Sequence, residues 1–123
     1  MLKTADIIAF VATTKPEQAR AFYEGVLGLS LVADDPSAVV FDANGVTLRV
    51  AKVQKLDPAP HTVLGWGVAN IREVIEALKK KGVVFQRYDG LSQDQLAVWT
   101  SPSGARIAWF KDPDGNVLSL TQF

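Results

Sequence analysis

Few side chains in this 123-residue sequence suit acid–base, nucleophilic or metal chemistry. His61 is the only histidine, and the preceding Pro58-Ala59-Pro60 favours an exposed residue at a strand entry over a place in a pocket. The lack of cysteine removes thiolate nucleophiles, thiolate metal ligands and disulfides together. We find no Ser-His-Asp arrangement, phosphate-binding loop or dinucleotide glycine fingerprint, since Gly65-Trp66-Gly67 lies inside a predicted strand.

Four aspartates that could be considered as acid–base catalysts lie in predicted turns. Asp34-Asp35, Asp112 and Asp114 are each close to a proline or glycine, where an aspartate side chain accepts hydrogen bonds from nearby backbone amides. We interpret them as structural residues and not as acid–base catalysts.

The composition excludes some classes of function. Lys plus Arg and Asp plus Glu are 13 each, and this formal net charge of zero argues against a nucleic-acid partner. The apolar run Ile7–Ala12 is too short to span a membrane or to form the core of a signal peptide. The sequence therefore predicts a globular protein without a membrane or nucleic-acid partner, and the lack of cysteine fits a cytoplasmic location.

The predicted strands and helices that would position a functional site occur in two successive series along the chain. The first begins with a strand at Ile7–Val11 and a helix that starts at Pro16 and stops at Gly28. The helix has an apolar stripe at i, i+3, i+4, i+7 and i+8, namely Ala19, Phe22, Tyr23, Val26 and Leu27. Three strands are predicted to follow, at Ser30–Ala33, Ala38–Asp42 and Val46–Val53, with Asn44-Gly45 as the last hairpin turn.

The second series follows a proline-rich linker at residues 55–60. It has a strand at Thr62–Val68 and a helix that Asn70 caps and Gly82 ends. The helix stripe consists of Ile71, Val74, Ile75 and Leu78. The predicted strands after it are Val83–Arg87, Leu96–Thr100, Ala105–Lys111 and Val117–Thr121, with Asp114-Gly115 in the last turn.

The two series share one order of elements, namely a strand, a helix and then strands, of which the first series has three and the second has four. Local sequence repeats as well, since the segment from Phe41 to Leu48 parallels the segment from Phe110 to Leu118. The sequence therefore predicts a single α+β domain of tandem βαβββ modules, the first at about 1–54 and the second at about 61–123.

Two sequence motifs in this chain resemble motifs of a known protein family. The segment from Phe22 to Leu29, FYEGVLGL, resembles a helix end of the vicinal-oxygen-chelate superfamily, which contains glyoxalases, bleomycin-resistance proteins and extradiol dioxygenases. The segment from Phe110 to Leu118, FKDPDGNVL, resembles the C-terminal hairpin of the same superfamily. The resemblance implies curved mixed sheets around a cleft with the helices outside, and it implies a homodimer.

Enzymes of this superfamily hold a divalent metal through His, Glu or Gln on the first and last strands of each module. Counting from the repeated motifs puts these four positions at Asp6, Arg49, Val63 and Ser119. Valine has no donor atom, arginine is a permanent cation and serine is a weak ligand, so we predict no metal cofactor. A shift of two residues would place His61 on the strand face of Val63, but Arg49 and Ser119 would still be unsuitable.

Asp6 and Arg49 suggest another arrangement. If both point inward, they form an ion pair, which is either a structural device or a way to present a guanidinium to an anionic ligand. A one-residue slip in the count would instead leave Arg49 as an exposed edge charge.

We therefore expect a metal-free protein that binds a small organic ligand. An enzyme with a shifted metal site or metal-free acid–base chemistry is the first alternative, and a structural or interaction module is the second. Phe10 shares a strand face with Asp6, whereas Trp66 is expected to lie on the opposite face from Val63 and to pack under a helix. The predicted ligand-binding residues are Asp6, Phe10, Thr47, Arg49, His61, Trp99 and Ser119.

Overall fold

The computed structural model describes all 123 residues. The chain forms two compact units, Met1–Asp57 and Pro58–Phe123. The boundary between them falls inside the predicted linker. Neither unit contains a helix with the length and hydropathy needed to cross a membrane.

The first unit is a four-stranded mixed sheet with one helical segment. Its elements are β1 (Ile8–Thr13), α1 (Pro16–Arg20), β2 (Ser30–Asp34), β3 (Ala38–Ala43) and β4 (Val46–Lys52). The strand order is β1-β4-β3-β2, in which β1 and β4 are parallel and the other pairs are antiparallel. A type of turn that requires positive φ joins β3 to β4, and Asn44 and Gly45 supply it with φ values of 51° and 87°.

Side chains on β3 and β4 alternate between two faces, as the pleat of a strand requires. Phe41, Leu48 and Val50 are almost fully buried on one face, and the ring of Tyr23 lies 5.9 Å from that of Phe41. Helix α1 continues into a π-helical segment at Ala21–Val26, which places Tyr23 in this core. The opposite face is called the first open face below.

The second unit repeats this arrangement. Its elements are β5 (Thr62–Gly67), α2 (Ile71–Lys80), β6 (Trp99–Thr100), β7 (Arg106–Lys111) and β8 (Val117–Gln122). The strand order is β5-β8-β7-β6, with β5 and β8 parallel and the other pairs antiparallel. The two units together confirm the predicted α+β fold of tandem βαβββ modules.

Helix α2 is fixed at its first turn by two side chains. The Asn70 Oδ1 accepts a hydrogen bond from the Glu73 amide at 3.2 Å, which confirms the predicted cap. The Gln122 Oε1 on β8 accepts a hydrogen bond from the Ile71 amide at 2.9 Å. Ile71, Ile75 and Leu78 are buried and cover one face of the sheet. The other face is called the second open face below.

The predicted strands between α2 and β7 are largely wrong. Val83–Arg87 is not a strand, and Leu96–Thr100 shortens to Trp99–Thr100. The side-chain amide of Gln93 takes the place of a neighbouring strand, because it donates to the Gln86 and Ala97 carbonyls and accepts from the Tyr88 amide. Side-chain bonds of this kind compete with a backbone ladder.

Candidate functional site

Three aromatic side chains form a group on the second open face. Trp109 comes from β7, Trp99 from the short strand β6 and Tyr88 from the segment after α2. The ring centre of Trp109 lies 6.2 Å from that of Trp99 and 5.5 Å from that of Tyr88. These spacings are within the range of favourable aromatic pairs. We call the three residues the aromatic cluster.

Hydroxyl groups border the aromatic cluster. The Trp109 indole Nε1 donates a hydrogen bond to the Thr62 Oγ1 at 3.1 Å. Ser119 is the cross-strand partner of Trp109, so both side chains leave the sheet on the same side. Gly65 is the partner of Ser119 on the other neighbouring strand, β5. A Cβ atom on Gly65 would lie 2.6 Å from the Ser119 Oγ. The surface thus combines flat apolar rings with a few placed polar atoms, a combination typical of ligand sites.

The hairpin between β7 and β8 fixes the pairing of Trp109 with Ser119. The Asp112 Oδ1 accepts hydrogen bonds from the backbone amides of Asp114 and Asn116, and its Oδ2 accepts one from the Asn116 side-chain amide. Asp112 is therefore a turn residue, as the sequence predicts, and it holds the strands that carry the site in register.

Asp34 and Asp35 also have structural roles. The Asp34 oxygens accept hydrogen bonds from Lys52 at 2.7 Å and Arg20 at 3.2 Å, and the bond to Lys52 is the main cause that lowers the pKa of Asp34. The pKa of Asp35 is lowered chiefly by hydrogen bonds from Ser37, followed by one from the Ala38 amide. Both carboxylates are held ionised, which is the opposite of what a general acid near neutral pH requires.

The first open face carries three of the predicted binding residues. Phe10 on β1 pairs with Arg49 on β4, and Thr47 lies two residues before Arg49. The side chain of Phe10 is 61% exposed, as expected for a ring that nothing in this unit covers. The Arg49 Nη2 lies 3.5 Å from the Ser37 Oγ, and Asp6 is exposed ahead of β1. The Asp6–Arg49 ion pair considered above is not among the ion pairs of the structure.

The strand pairing corrects the counting that equated Asp6 with Val63. Arg49 pairs with Phe10, and its counterpart Ser119 pairs with Gly65. Two residues before Arg49 and Ser119, Thr47 pairs with Ile8 and Val117 pairs with Thr62, because a bulge between Thr62 and Leu64 shifts the second ladder by one residue. Ile8 and Thr62 are therefore equivalent, and Asp6 lies outside the strand. The count failed in the first unit because it matched Val11 to Val68, whereas the pairing makes Val11 equivalent to Trp66. It failed in the second unit because of the bulge between Thr62 and Leu64.

The corrected positions fit a divalent metal even less well. Ile8 offers no donor atom, Thr62 and Ser119 offer only neutral hydroxyls, and Arg49 is a permanent cation. No three His, Asp or Glu side chains come together anywhere in the chain. The residues at these positions thus do not suit the divalent metal that enzymes of the vicinal-oxygen-chelate superfamily hold.

The remaining predicted binding residues of the second unit do not all lie together. Trp99 and Ser119 lie together on the second open face, whereas His61 is exposed just before β5. Trp66 points to the helix side, where its ring stacks on Phe110 at 6.5 Å, which confirms the expectation for its facing.

Sequence reasoning missed Trp109 and left the facing of Tyr88 open. The signal for Trp109 was present, since counting outward from the Asp114-Gly115 hairpin places it opposite Ser119. Tyr88 has no such signal, because the hydrogen bonds of Gln93 set the path of its segment.

The chain belongs to the glyoxalase/bleomycin resistance protein/dioxygenase superfamily, whose family model matches residues 5–120. No curated protein sequence matches it significantly.

Several solved structures share the fold. A lactoylglutathione lyase from Agrobacterium tumefaciens is 17% identical with a TM-score of 0.77, over 99% of this chain and 96% of that one. The bleomycin resistance determinant encoded on the transposon Tn5 is 22% identical with a TM-score of 0.75, over 97% and 98%. An antibiotic-binding protein from Streptomyces sp. CB03234 is 23% identical with a TM-score of 0.69, over 97% of each chain. Similarity at this level of identity establishes the fold.

Proposed function

We propose that this chain is a small-molecule-binding protein that works without a resident metal. The aromatic cluster on the second open face is the observation that carries the proposal. Stacked aromatic rings bind flat apolar groups of a ligand with little loss of side-chain entropy, because each ring is already fixed by its neighbours.

The polar atoms around the cluster supply orientation. The Thr62 hydroxyl already accepts from Trp109, so its own proton is available to a ligand acceptor. Ser119 is largely buried, and it places a second hydroxyl beneath the surface next to Trp109. A flat organic molecule with one or two hydrogen-bonding groups matches this surface.

Two of the structural neighbours favour the same class of function. One is described as a bleomycin resistance determinant and another as an antibiotic-binding protein. An antibiotic with flat aromatic groups is therefore a reasonable first ligand for this chain.

Other features belong to the proposal as well. Asp6, Phe10, Thr47 and Arg49 are proposed to contribute to ligand binding from the first unit, and His61 from the second. We also propose that the chain forms a homodimer and acts in the cytoplasm. These features rest on the sequence and the family.

Calorimetric titration with bleomycin and with 2-naphthamide, a small flat aromatic amide, tests the proposal. We expect 1:1 binding of at least one compound, unchanged by EDTA. Trp109→Ala should weaken binding about tenfold, since loss of a stacking ring costs about 1.4 kcal/mol. Trp66→Phe is the matched control, because it changes a tryptophan on the helix side, and it should leave the affinity unchanged.

Two results would overturn the proposal. One is the absence of binding by both compounds, and the other is equal affinity for Trp109→Ala and the wild type. Thermal unfolding of each variant checks that the fold is intact. If EDTA abolishes binding, the statement that the protein works without a resident metal is contradicted, while small-molecule binding stands.

A further inference from the structure

A recess adjoins the aromatic cluster within the second unit. It has a volume of about 390 Å³, and Pro58, Pro60, Tyr88, Lys111 and Val117 are among the residues that line it. Sites for small molecules typically measure about 300–1,000 Å³, so the recess is large enough for a small ring system. No sequence motif pointed to it.

The walls of the recess are apolar and firmly held. Pro58 packs against the β7–β8 turn, since a Cβ atom at Gly115 would lie 3.5 Å from the Pro58 Cγ. Proline rings lose little conformational freedom when a ligand binds beside them. The backbone amide of Tyr88 is fixed by Gln93 at 2.8 Å. A ligand would therefore meet a preformed surface.

Tyr88 connects the recess to the aromatic cluster. It lines the recess and also makes an edge-to-face contact with Trp109 at 5.5 Å. Val117 and Ser119 lie two residues apart on β8 and so share the second open face. The recess and the aromatic cluster thus form one continuous surface.

Lys111 is the only charged residue that lines the recess. It follows Trp109 by two positions on β7 and so points to the same open face. Lys111 takes part in none of the four ion pairs of the structure. Both carboxylate oxygens of its neighbour Asp112 accept hydrogen bonds within the turn. The ammonium group is therefore available to a ligand.

We propose that the recess selects organic anions: its apolar walls take a flat ring, and Lys111 pairs with a carboxylate or sulfonate on that ring. The inference rests on the proposed function, which it narrows from flat organic molecules in general to those with a negative charge. A partly exposed ion pair gives a modest and salt-dependent gain in affinity.

Two isosteric probes test the inference. 2-Naphthoate and 2-naphthamide have the same ring system and differ in charge. At low ionic strength, the wild type should bind 2-naphthoate about fivefold more tightly, and the preference should shrink in 0.5 M salt. Lys111→Gln should abolish the preference without changing the affinity for 2-naphthamide, and Lys111→Arg should retain it. Lys79→Gln, on the last turn of α2, is the control. It removes one positive charge at a residue that does not line the recess.

The outcomes separate this inference from the proposed function. If the wild type binds both probes equally, the charge selectivity of the recess is refuted while aromatic binding stands. If Lys79→Gln lowers the preference as much as Lys111→Gln does, the effect comes from net charge and the inference is again refuted. If neither probe binds, the inference falls together with the binding of small flat ligands.

Discussion

At the scale of single residues, the pair Gly65 and Ser119 shows how closely the second open face is packed. The two residues are partners in the β5–β8 ladder, and Ser119 is only 7% exposed. A Cβ atom on Gly65 would lie 2.6 Å from the Ser119 Oγ and 3.9 Å from its Cβ. The hydroxyl of Ser119 therefore occupies the space that a side chain at position 65 would need.

Gly65→Ala should lower the free energy of unfolding by about 1 kcal/mol, since the Ser119 hydroxyl must rotate away or the strands must shift. Ser119→Ala removes the obstructing oxygen, so the double variant should recover most of the loss. Chemical denaturation of the four proteins in this double-mutant cycle measures the coupling. Strictly additive effects would show that the contact does not determine the cost.

The assignment of single residues from sequence had mixed success. The cap at Asn70 and the turn role of Asp112 follow from local hydrogen bonding, which a short window of sequence contains. The equivalence of Ile8 with Thr62 depends on which residues pair across parallel strands far apart in sequence, and on a bulge between Thr62 and Leu64. A repeat of apolar residues leaves that register open to a slip of two positions, because a shift of two preserves the strand face.

At the scale of elements, the segment between α2 and β7 departs most from prediction. Two strands were predicted here, Val83–Arg87 and Leu96–Thr100, but the side chain of Gln93 bonds to the backbone of this segment instead. The Gln93 amide donates to the Gln86 carbonyl at 3.0 Å and to the Ala97 carbonyl at 2.8 Å. Ala97 has a φ of 65°, a conformation that alanine rarely adopts and that no propensity scale would indicate.

Replacing Gln93 should affect both stability and binding. Gln93→Ala leaves partly buried backbone groups without their partner, and we expect a loss of about 2 kcal/mol in unfolding free energy. Gln93→Glu keeps the shape and the acceptor but removes the two donors, so it should be destabilising as well. Because Gln93 fixes the amide of Tyr88, both variants should also weaken the binding of 2-naphthamide.

Denaturation and calorimetric titration on the same samples measure both effects. Gln18→Ala, an exposed glutamine in α1, is the control and should change neither. Full stability of Gln93→Ala would mean that solvent replaces the three hydrogen bonds and that the segment does not depend on them.

The other strands and both helices were predicted close to their observed bounds. Each is marked by apolar periodicity and ended by a residue with a specific backbone preference, such as Gly28 and Gly82, which have φ values of 76° and 91°. The π-helical segment after α1 had no such signal. Its hydrogen bond from the Leu27 amide to the Phe22 carbonyl spans five residues and leaves the apolar stripe nearly unchanged.

At the scale of the whole molecule, the exposed apolar residues at the start of the chain bear on its assembly. Ile7, Ile8 and Phe10 are 75%, 51% and 61% exposed, on or just before β1. A cluster of exposed apolar residues marks a contact surface more often than single, scattered exposed apolar residues do. A net charge of zero offers no electrostatic barrier to self-association.

We therefore expect a homodimer in solution, with Phe10 at its contact. In a twofold dimer each substitution acts twice, and burial of one phenylalanine contributes about 1.5–3 kcal/mol. Phe10→Ser should thus raise the dimer dissociation constant at least about a hundredfold, as measured by sedimentation velocity over a concentration series. Val84→Ser is the matched control, because Val84 is an apolar residue that is 73% exposed in the second unit. A wild-type chain that sediments as a monomer at high concentration would contradict the dimer, whereas equal dissociation constants for the wild type and Phe10→Ser would move the contact elsewhere.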